Sequence, residues 1–414
     1  MRLVRPWGER GVVTSRIWRC IRDRNGCPTA HAWFSSTAWL GYDTVLHTGN
    51  TRAQRLEPSA DHRYRRHISM PGMPGPPQAD PLALDALIEQ CRCRVARDPR
   101  DASAHLDLAE ALLLSGRLAE GWPEYEWRYG LPGVPSPMPI AEGRPQWDGS
   151  PMPHGTLVLV ADQGYGDVIQ FCRYIPAVRS RCSNVTVACS PEMLPIVTQM
   201  APAARCVTRW SDIGAFDAWC PLSGLPMRFG TVLETVPASA AYLKADPARV
   251  AAWRKGLDEL LPSRFWRIGL VWAGRPTHRH DARRSLRLAQ LAPLADLPDV
   301  ALVALQLGPA QQEIDGYRGA APLVNAGGAL GDFGETMAAI ACLDHVVSVD
   351  TAPAHLAGAL GCPVSLLLAH MPDWRWLSDR RDTPWYPAMS LYRQPAPGRW
   401  DPAIAAVARD LAGR

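Results

Sequence analysis

A glycine-rich turn at residues 161–167 combines small, polar and acidic residues in a way that suits ligand binding. Its glycines, Gly164 and Gly166, permit a tight turn and let a ligand approach the backbone closely. Asp167 closes the turn and starts the next predicted helix, where aspartate is a favourable cap. A carboxylate there could also accept a proton from a reacting hydroxyl group. The turn alone leaves both roles of Asp167 open.

A second segment, residues 347–361, reads Val-Ser-Val-Asp-Thr-Ala-Pro-Ala-His-Leu-Ala-Gly-Ala-Leu-Gly. We expect a strand to end at Val349, Asp350 and Thr351 to form the turn, and a helix of small residues to begin at Ala352. Free backbone N–H groups at such a helix start, next to a hydroxyl group, suit a diphosphate. Ordinary helix capping explains the same pattern. His355, a polar residue on an otherwise apolar helix, favours the binding role.

A third segment, residues 269–285, leaves a predicted strand through a glycine and enters a run of arginines and histidines. Such charge runs are usually solvated surface. This one follows the carboxyl end of a strand, where guanidinium groups are well suited to bind an anion. The candidate ligand-binding residues of this segment are Trp272, Gly274, His278, Arg283, Arg284 and Ser285.

The elements that position these segments alternate between strand and helix. Apolar strands separated by helices predict parallel sheets covered on both faces, and ligands bind beyond the carboxyl ends of their strands. A crossing segment, residues 221–243, separates two such series and predicts an α/β protein with two Rossmann-like lobes, at 156–243 and 244–414. The predicted strands are 156–161, 185–189, 206–208, 267–272, 300–305, 345–349 and 364–368. The predicted helices are 168–179, 191–200, 247–261, 288–297, 333–342, 352–360 and 402–411.

The chain in front of the lobes divides into three parts. Residues 82–130 repeat apolar side chains at three- and four-residue steps, which predicts short helices. Residues 131–155 form a proline-rich linker. Residues 1–81 lack periodicity and end in a Pro/Gly linker. They are a disordered extension or, as we favour, upstream sequence before a true start at Met70 or Met73, and we expect residues 1–70 to be dispensable.

Composition narrows the class of protein. Residues 1–70 hold 12 arginines, no lysine and 5 acidic residues, so the rest of the chain has a net charge of −3 although the whole carries +4. A mildly acidic body gives no support to nucleic-acid binding. No apolar run approaches the roughly 18 residues of a membrane span, and no secretory signal is evident. The 11 cysteines show no paired zinc spacing, so we expect a reduced, cytoplasmic protein.

The segment after the strand at 345–349 resembles the donor-binding segment of family 9 glycosyltransferases, the heptosyltransferase-like enzymes. Their Asp-Thr-x-x-x-His-Leu-Ala pattern is matched by Asp350, Thr351, His355, Leu356 and Ala357. The Gly166-Asp167 pair is similar to their N-terminal Gly-Asp signature. The helical segment resembles a tetratricopeptide repeat, although Gly121 replaces the usual alanine. The repeat's signature offsets hold His105, Leu108, Ala109, Leu112, Gly116, Gly121 and Tyr125.

The resemblance implies a GT-B pair of lobes behind a short all-α segment, with the sugar donor on the C-terminal lobe and inversion at the anomeric carbon. Asp167 is then the catalytic base. No Asp-x-Asp occurs in the chain, so we expect no metal and no cofactor beyond a nucleoside-diphosphate sugar as co-substrate. The acceptor is then a glycan or protein hydroxyl. Because fewer than three repeats rarely stand alone, we expect the repeat-like helices to form a cap packed on the next domain, ahead of an independent module that binds a protein partner. The alternative is a non-catalytic scaffold of the same architecture. The expected donor-binding residues are Gly164, Gly166, Asp350, Thr351, Ala352 and His355, together with the six residues of the third segment.

Overall fold

The computed structural model describes residues 81–413, apart from residues 142, 238 and 239. The predicted extension at the N-terminus therefore lies almost wholly outside the described residues. Within the described part, no helix is both long and apolar enough to cross a membrane.

Three helices open the described chain: α1 (Pro81–Arg97), α2 (Ala102–Leu114) and α3 (Leu118–Tyr125), followed by a 3-10 turn at Glu126–Gly130. The carboxylate of Asp101 caps α2 by accepting the N–H groups of Ser103 and Ala104 at 2.9 and 3.1 Å. The first two helices share a small apolar core. It consists of Ile88, Cys91, Leu108, Ala111 and Leu112.

This helical segment packs on the rest of the protein as a cap. Leu113 and Trp122 belong to the same apolar core as Leu157 of the first sheet. The indole N–H of Trp122 donates to the carbonyl of Thr231 at 2.8 Å. The helices are therefore buried against the α/β body, and their likeness to a tetratricopeptide repeat stays a prediction.

The first sheet has four parallel strands in the order β3-β2-β1-β4. Its strands are β1 (Met152–Val160), β2 (Cys182–Ala188), β3 (Arg205–Val207) and β4 (Ala218–Pro221). Its helices are α4 (Tyr165–Phe171), α5 (Ile175–Arg181), α6 (Leu194–Met200) and α7 (Leu225–Arg228). The predicted single helix at 168–179 is wrong: a 3-10 turn at Cys172–Tyr174 separates α4 from α5. Pro176 lacks the N–H that a continuous helix would need.

The second sheet has six parallel strands in the order β10-β9-β8-β5-β6-β7. They are β5 (Trp266–Val271), β6 (Val300–Ala304), β7 (Leu323–Asn325), β8 (His345–Val349), β9 (Val364–Leu368) and β10 (Met389–Arg393). The helices are α8 (Pro247–Leu260), α9 (Asp281–Arg284), α10 (Ala292–Ala295), α11 (Phe333–Ile340), α12 (Ala352–Ala359) and α13 (Asp401–Ala412).

The predicted α/β class with parallel sheets is confirmed. Three strands were not predicted from the sequence. The strands β4, β7 and β10 are short or mix polar with apolar residues, so they show no continuous apolar run. The predicted helix at 288–297 is also wrong. It is a 3-10 turn at Leu288–Leu291 followed by the four-residue α10.

Candidate functional site

The carboxyl ends of the two sheets meet through the helices that follow β1 and β8. Helix α4 packs directly against α12. At the contact, a Cβ added to Gly166 would lie 2.9 Å from Cδ2 and 3.1 Å from Nε2 of His355. Real Cβ atoms almost never come within 3.0 Å of another atom, so any larger residue here would force the His355 ring to shift. The sequence predicted the approach of a ligand to this glycine, and the structure has a histidine in that place.

Asp167 uses both of its carboxylate oxygens. One oxygen, Oδ2, accepts the backbone N–H of Gly164 at 3.0 Å and so caps α4. The other, Oδ1, accepts a hydrogen bond from Nη2 of Arg375 and forms an ion pair with it. The N-cap position predicted for Asp167 is wrong: Gly164 is the N-cap, and Asp167, the third residue of the helix, reaches back to its N–H. Asp167 also forms a bond between the two sheets. Its role as a general base stays a prediction.

Arg375 lies in a 3-10 turn, Trp374–Trp376, that follows β9. Its Nη1 is 2.7 Å from Oδ1 of Asp373, and its Nε donates to Oε1 of Gln170 at 2.8 Å. Burial, the largest influence, lowers the pKa of this guanidinium, but the carboxylates around it outweigh burial and raise the pKa. The sequence analysis missed Arg375. The available signal was its place just beyond a buried strand, the same signal that selected the other three segments.

His355 is buried between aromatic rings and does not face open space. Its Nδ1 lies 2.8 Å from the hydroxyl of Tyr386, and its ring centroid is 5.2 Å from that of Trp376. Its Nε2 lies 3.6 Å from Oδ1 of Asp350. Burial, the largest influence, raises the pKa of Asp350. Hydrogen bonding and charge interactions with His355 and Arg375 outweigh burial and lower that pKa to about 2, so Asp350 carries a negative charge at neutral pH.

Thr351 precedes α12 and does not cap it through its side chain. Its hydroxyl lies 3.2 Å from both the carbonyl oxygen of Val349 and Oγ of Ser348. Ala352, the first residue of α12, is half-buried. No side-chain hydrogen bond from Thr351 therefore covers the first turn of this helix, where the sequence predicted a diphosphate.

The arginine-rich segment after β5 is tied to the same place. Nη1 of Arg284 donates to the backbone carbonyl of Asp350 at 2.8 Å, and its Nε lies 3.4 Å from Oδ1 of Asp281. The hydroxyl of Ser285 accepts the N–H of Gly274 at 2.9 Å and closes the loop. The structure thus brings the second and third predicted segments together.

Three other residues of that segment differ in their access to a ligand. His278 and Arg283 are exposed. Trp272 is fully buried in the core of the second sheet, so its ring offers no surface to a ligand, contrary to the prediction. The amide oxygen of Gln306 accepts the N–H groups of Trp272 and Ala273 at 3.0 and 2.9 Å. These two bonds fix the backbone where the Trp272 ring enters the core.

The described residues contain no group of three or more histidine, cysteine, aspartate or glutamate side chains placed to hold a metal ion. What the site does contain is a set of charged groups from both sheets. They are Asp167, Asp350, Asp373, Arg284 and Arg375.

Comparisons with known proteins give distant likenesses. No family model matches the chain. Protein FlbA of Caulobacter vibrioides is 26% identical over 356 residues, which cover 79% of this chain and 58% of FlbA. The chain therefore matches less than two thirds of the length of that relative.

Among solved structures, the chain is similar to a family 9 glycosyl transferase from Veillonella parvula, at 11% identity and a TM-score of 0.41, over 60% of this chain and 88% of that one. It is also similar to the ADP-heptose lps heptosyltransferase II of E. coli, at 15% identity and a TM-score of 0.42, over 62% of this chain and 99% of that one. A mutant O-GlcNAc transferase of Thermobaculum terrenum matches at 15% identity and a TM-score of 0.28, over 80% of each chain. Likenesses at this level carry no conclusion about activity.

Proposed function

We propose that the chain is a glycosyltransferase that uses a nucleoside-diphosphate sugar. One observation carries the proposal: the carboxyl ends of two parallel sheets meet, and charged residues from both converge there. Asp167 comes from the first sheet, and Arg284, Asp350 and Arg375 come from the second. In parallel α/β sheets this edge is where ligands bind. The match of residues 350–357 to the family 9 donor segment names the ligand class.

The proposed donor site lies at the start of α12. The backbone N–H groups there are not capped by Thr351, and Arg284 is held beside them through its bond to the Asp350 carbonyl at 2.8 Å. Amide dipoles and guanidinium groups stabilise the negative charge that develops on a leaving diphosphate. The exposed Arg283 extends this cationic surface. His278 lies in the same loop, but partial burial and the charge of Arg284 lower its pKa, so it offers a neutral imidazole for hydrogen bonding. With no Asp-x-Asp in the chain, we propose that these groups do the work without a metal ion.

The proposed reaction is a direct displacement with inversion. The acceptor oxygen bonds to the anomeric carbon while the bond from that carbon to the diphosphate breaks. The electron pair of the broken bond leaves with the nucleoside diphosphate, and Asp167 takes the proton of the acceptor hydroxyl. The donor belongs to the proposed C-terminal lobe, 244–414, and the acceptor, a glycan or protein hydroxyl, to the proposed N-terminal lobe, 156–243, in a GT-B arrangement.

The second candidate is a non-catalytic binding protein in which the helical cap recruits a partner. A specific observation favours it: the meeting place of the sheets is filled by the protein's own side chains. His355 packs on Gly166, and Asp167 is paired with Arg375. A transferase must separate these groups to admit an acceptor, whereas a scaffold has no need to.

One experiment separates the two candidates. The full chain is titrated calorimetrically with ADP, UDP and GDP, and then incubated with the corresponding sugar nucleotides and a mixture of glycan and peptide acceptors. Mass spectrometry measures released nucleoside diphosphate and sugar-bearing product. A transferase binds at least one nucleotide and forms product. Binding of none of them, with no release of diphosphate from any donor, would rule out the transferase and leave the scaffold.

A further inference from the structure

Arg375 bonds to both halves of the α/β body with one guanidinium group. On its own loop it meets Asp373 at 2.7 Å. From α4 of the first sheet it meets the carboxylate of Asp167 and, at 2.8 Å, the amide oxygen of Gln170. The Arg375 side chain is 9% exposed, so these bonds are sheltered from water. A planar guanidinium with several fixed donors is the side chain best suited to exchange one oxyanion partner for another.

Carboxylates outnumber cations around this arginine. Asp167, Asp350 and Asp373 all act on the charge of Arg375. Burial, the largest influence, raises the pKa of Asp373, and the charges of Asp350 and Asp167 raise it further, while Arg375 lowers it. Negative charge around Arg375 is therefore in surplus. A diphosphate cannot bind there while all three carboxylates keep their places. It could enter only if one carboxylate gives up its place, because like charges repel strongly in a buried site.

Two buried amide donors, one in the turn before α4 and one in α4 itself, lack an acceptor within the described residues. They are the Nε2 atoms of Gln163 and Gln170. Gln170 is fully buried, and its other amide atom is fixed by Arg375. Gln163 adopts φ of 65°, which a side-chain-bearing residue rarely does, and its amide oxygen accepts from Tyr125 at 3.1 Å. Buried donors without acceptors are unfavourable unless a ligand or water completes them.

We infer that Arg375 binds the donor diphosphate and that Asp167 pairs with Arg375 when no diphosphate is bound. The diphosphate and the Asp167 carboxylate therefore compete for one guanidinium group. In the absence of nucleotide, Arg375 pairs with Asp167 and keeps the two sheets together. When the diphosphate takes its place, Oδ1 of Asp167 is released and becomes free to accept the proton of the acceptor hydroxyl. No covalent bond changes in this exchange. The inference rests on the proposed function for the identity of the ligand.

Competition predicts affinity changes of opposite sign for the two partners. Asp167→Asn removes the competing charge and should tighten the binding of a nucleoside diphosphate and of inorganic pyrophosphate by about tenfold, within the usual range of coupling between sites. Arg375→Gln removes the cation and should weaken both by a similar factor. Arg375→Lys keeps a charge without the fork and should fall between. The affinity for the corresponding nucleoside, which has no phosphate, should not change.

A matched control comes from an exposed ion pair between the loop that precedes β10 and helix α13. Arg381 and Asp410 are 2.8 Å apart, so Arg381→Gln and Asp410→Asn alter net charge equally without touching the site. Calorimetric titration of the full chain at one salt concentration should show no change for either. Melting temperatures are recorded for every variant. If Arg375→Gln does not fold, Arg375→Lys and Asp167→Asn decide the outcome.

The outcomes distinguish this inference from the proposed function. If the parent binds nucleotide and transfers sugar, but both variants shift the affinity in the same direction or not at all, the competition is refuted and the transferase stands. Opposite shifts with pyrophosphate in a protein that transfers no sugar support the competition and refute the transferase. If neither the parent nor Asp167→Asn binds any diphosphate, both are wrong.

Discussion

The imidazole of His355 occupies the space that a side chain at position 166 would need. An added Cβ on Gly166 would stand 2.9 Å from Cδ2 of this ring. Because Gly166 lies in the first turn of α4, which follows β1, and His355 lies in α12, which follows β8, this contact limits how closely the ends of the two sheets approach. The ring is itself held by the Tyr386 hydroxyl at 2.8 Å, so it cannot move aside without losing a buried hydrogen bond.

Gly166→Ala should therefore destabilise the protein by about 1–3 kcal/mol, the usual effect of overpacking a closely packed contact. Urea unfolding measures the change. The matched control is Gly316→Ala, since Gly316 has no atom within 4 Å of the added Cβ. Equal unfolding midpoints for the two variants would show that the contact between α4 and α12 tolerates separation at no cost.

Thr351→Val should weaken nucleotide binding while the fold persists. Valine has the shape of threonine, and the hydroxyl that it removes makes only 3.2 Å contacts within the protein. A hydrogen bond to a charged phosphate contributes about 1.5–3 kcal/mol, so affinity should fall by roughly tenfold or more. Calorimetry with ADP, UDP and GDP measures the loss.

The control for Thr351 is Thr336→Val. Thr336 lies in the first half of α11, where its hydroxyl donates to the Asp332 carbonyl at 3.0 Å, and it is buried like Thr351. This variant should keep the parental affinity. An equal loss in both variants would assign the effect to general loosening rather than to the start of α12.

Asp167→Asn should lower the rate of sugar transfer by about 10²–10⁴-fold, the usual effect of losing a general base. The amide oxygen of asparagine can still accept the Gly164 N–H, so α4 keeps its cap. Transfer is measured by mass spectrometry at saturating donor, which separates the chemical step from the change in donor affinity. Transfer at the parental rate would reduce Asp167 to a cap and an ion-pair partner.

EDTA should leave the transfer rate of the parent unchanged, because the proposed leaving-group stabilisation uses the amides of α12 and the nearby arginines. The assay compares untreated protein, protein with EDTA, and EDTA-treated protein to which excess magnesium is restored. Loss of activity that magnesium restores would contradict the metal-independent mechanism while leaving the role of Asp167 intact.

Asp350 should make the free energy of unfolding depend on pH in the acidic range. Its pKa falls from 3.8 to about 2 in the folded protein. A depressed carboxyl pKa contributes stability that is present above pH 4 and is lost as the pH falls toward 2. The contribution is about 2 kcal/mol. Urea unfolding between pH 2 and 6 should show a shallower loss for Asp350→Asn than for the parent, whereas Asp315→Asn, at an exposed acid, should follow the parent. Parallel curves for parent and Asp350→Asn would contradict the depressed pKa.

Local pattern predicted the elements that are long and uniformly apolar. The strands β8 and β9 have the bounds that the sequence predicted, because a run such as Val364–Leu368 is buried on both faces and is apolar at every position except Ser365. In contrast, β4 reads Ala-Trp-Cys-Pro and is a strand because it pairs with β1 from Leu157 to Val160. A four-residue segment carries too little periodicity to reveal such pairing.

The amino-acid sequence by itself determined the α/β class with parallel sheets, and it located the three segments that follow strands with polar and glycine residues. Only the tertiary structure decided which side chains meet. Asp167 and Arg375 are 208 residues apart, and neither has a local partner that predicts the other. Trp272 and His355 looked equally accessible in the sequence, yet both are buried. Local propensity and hydrophobic period act within a few residues, whereas the approach of two sheet edges depends on the packing of the whole body.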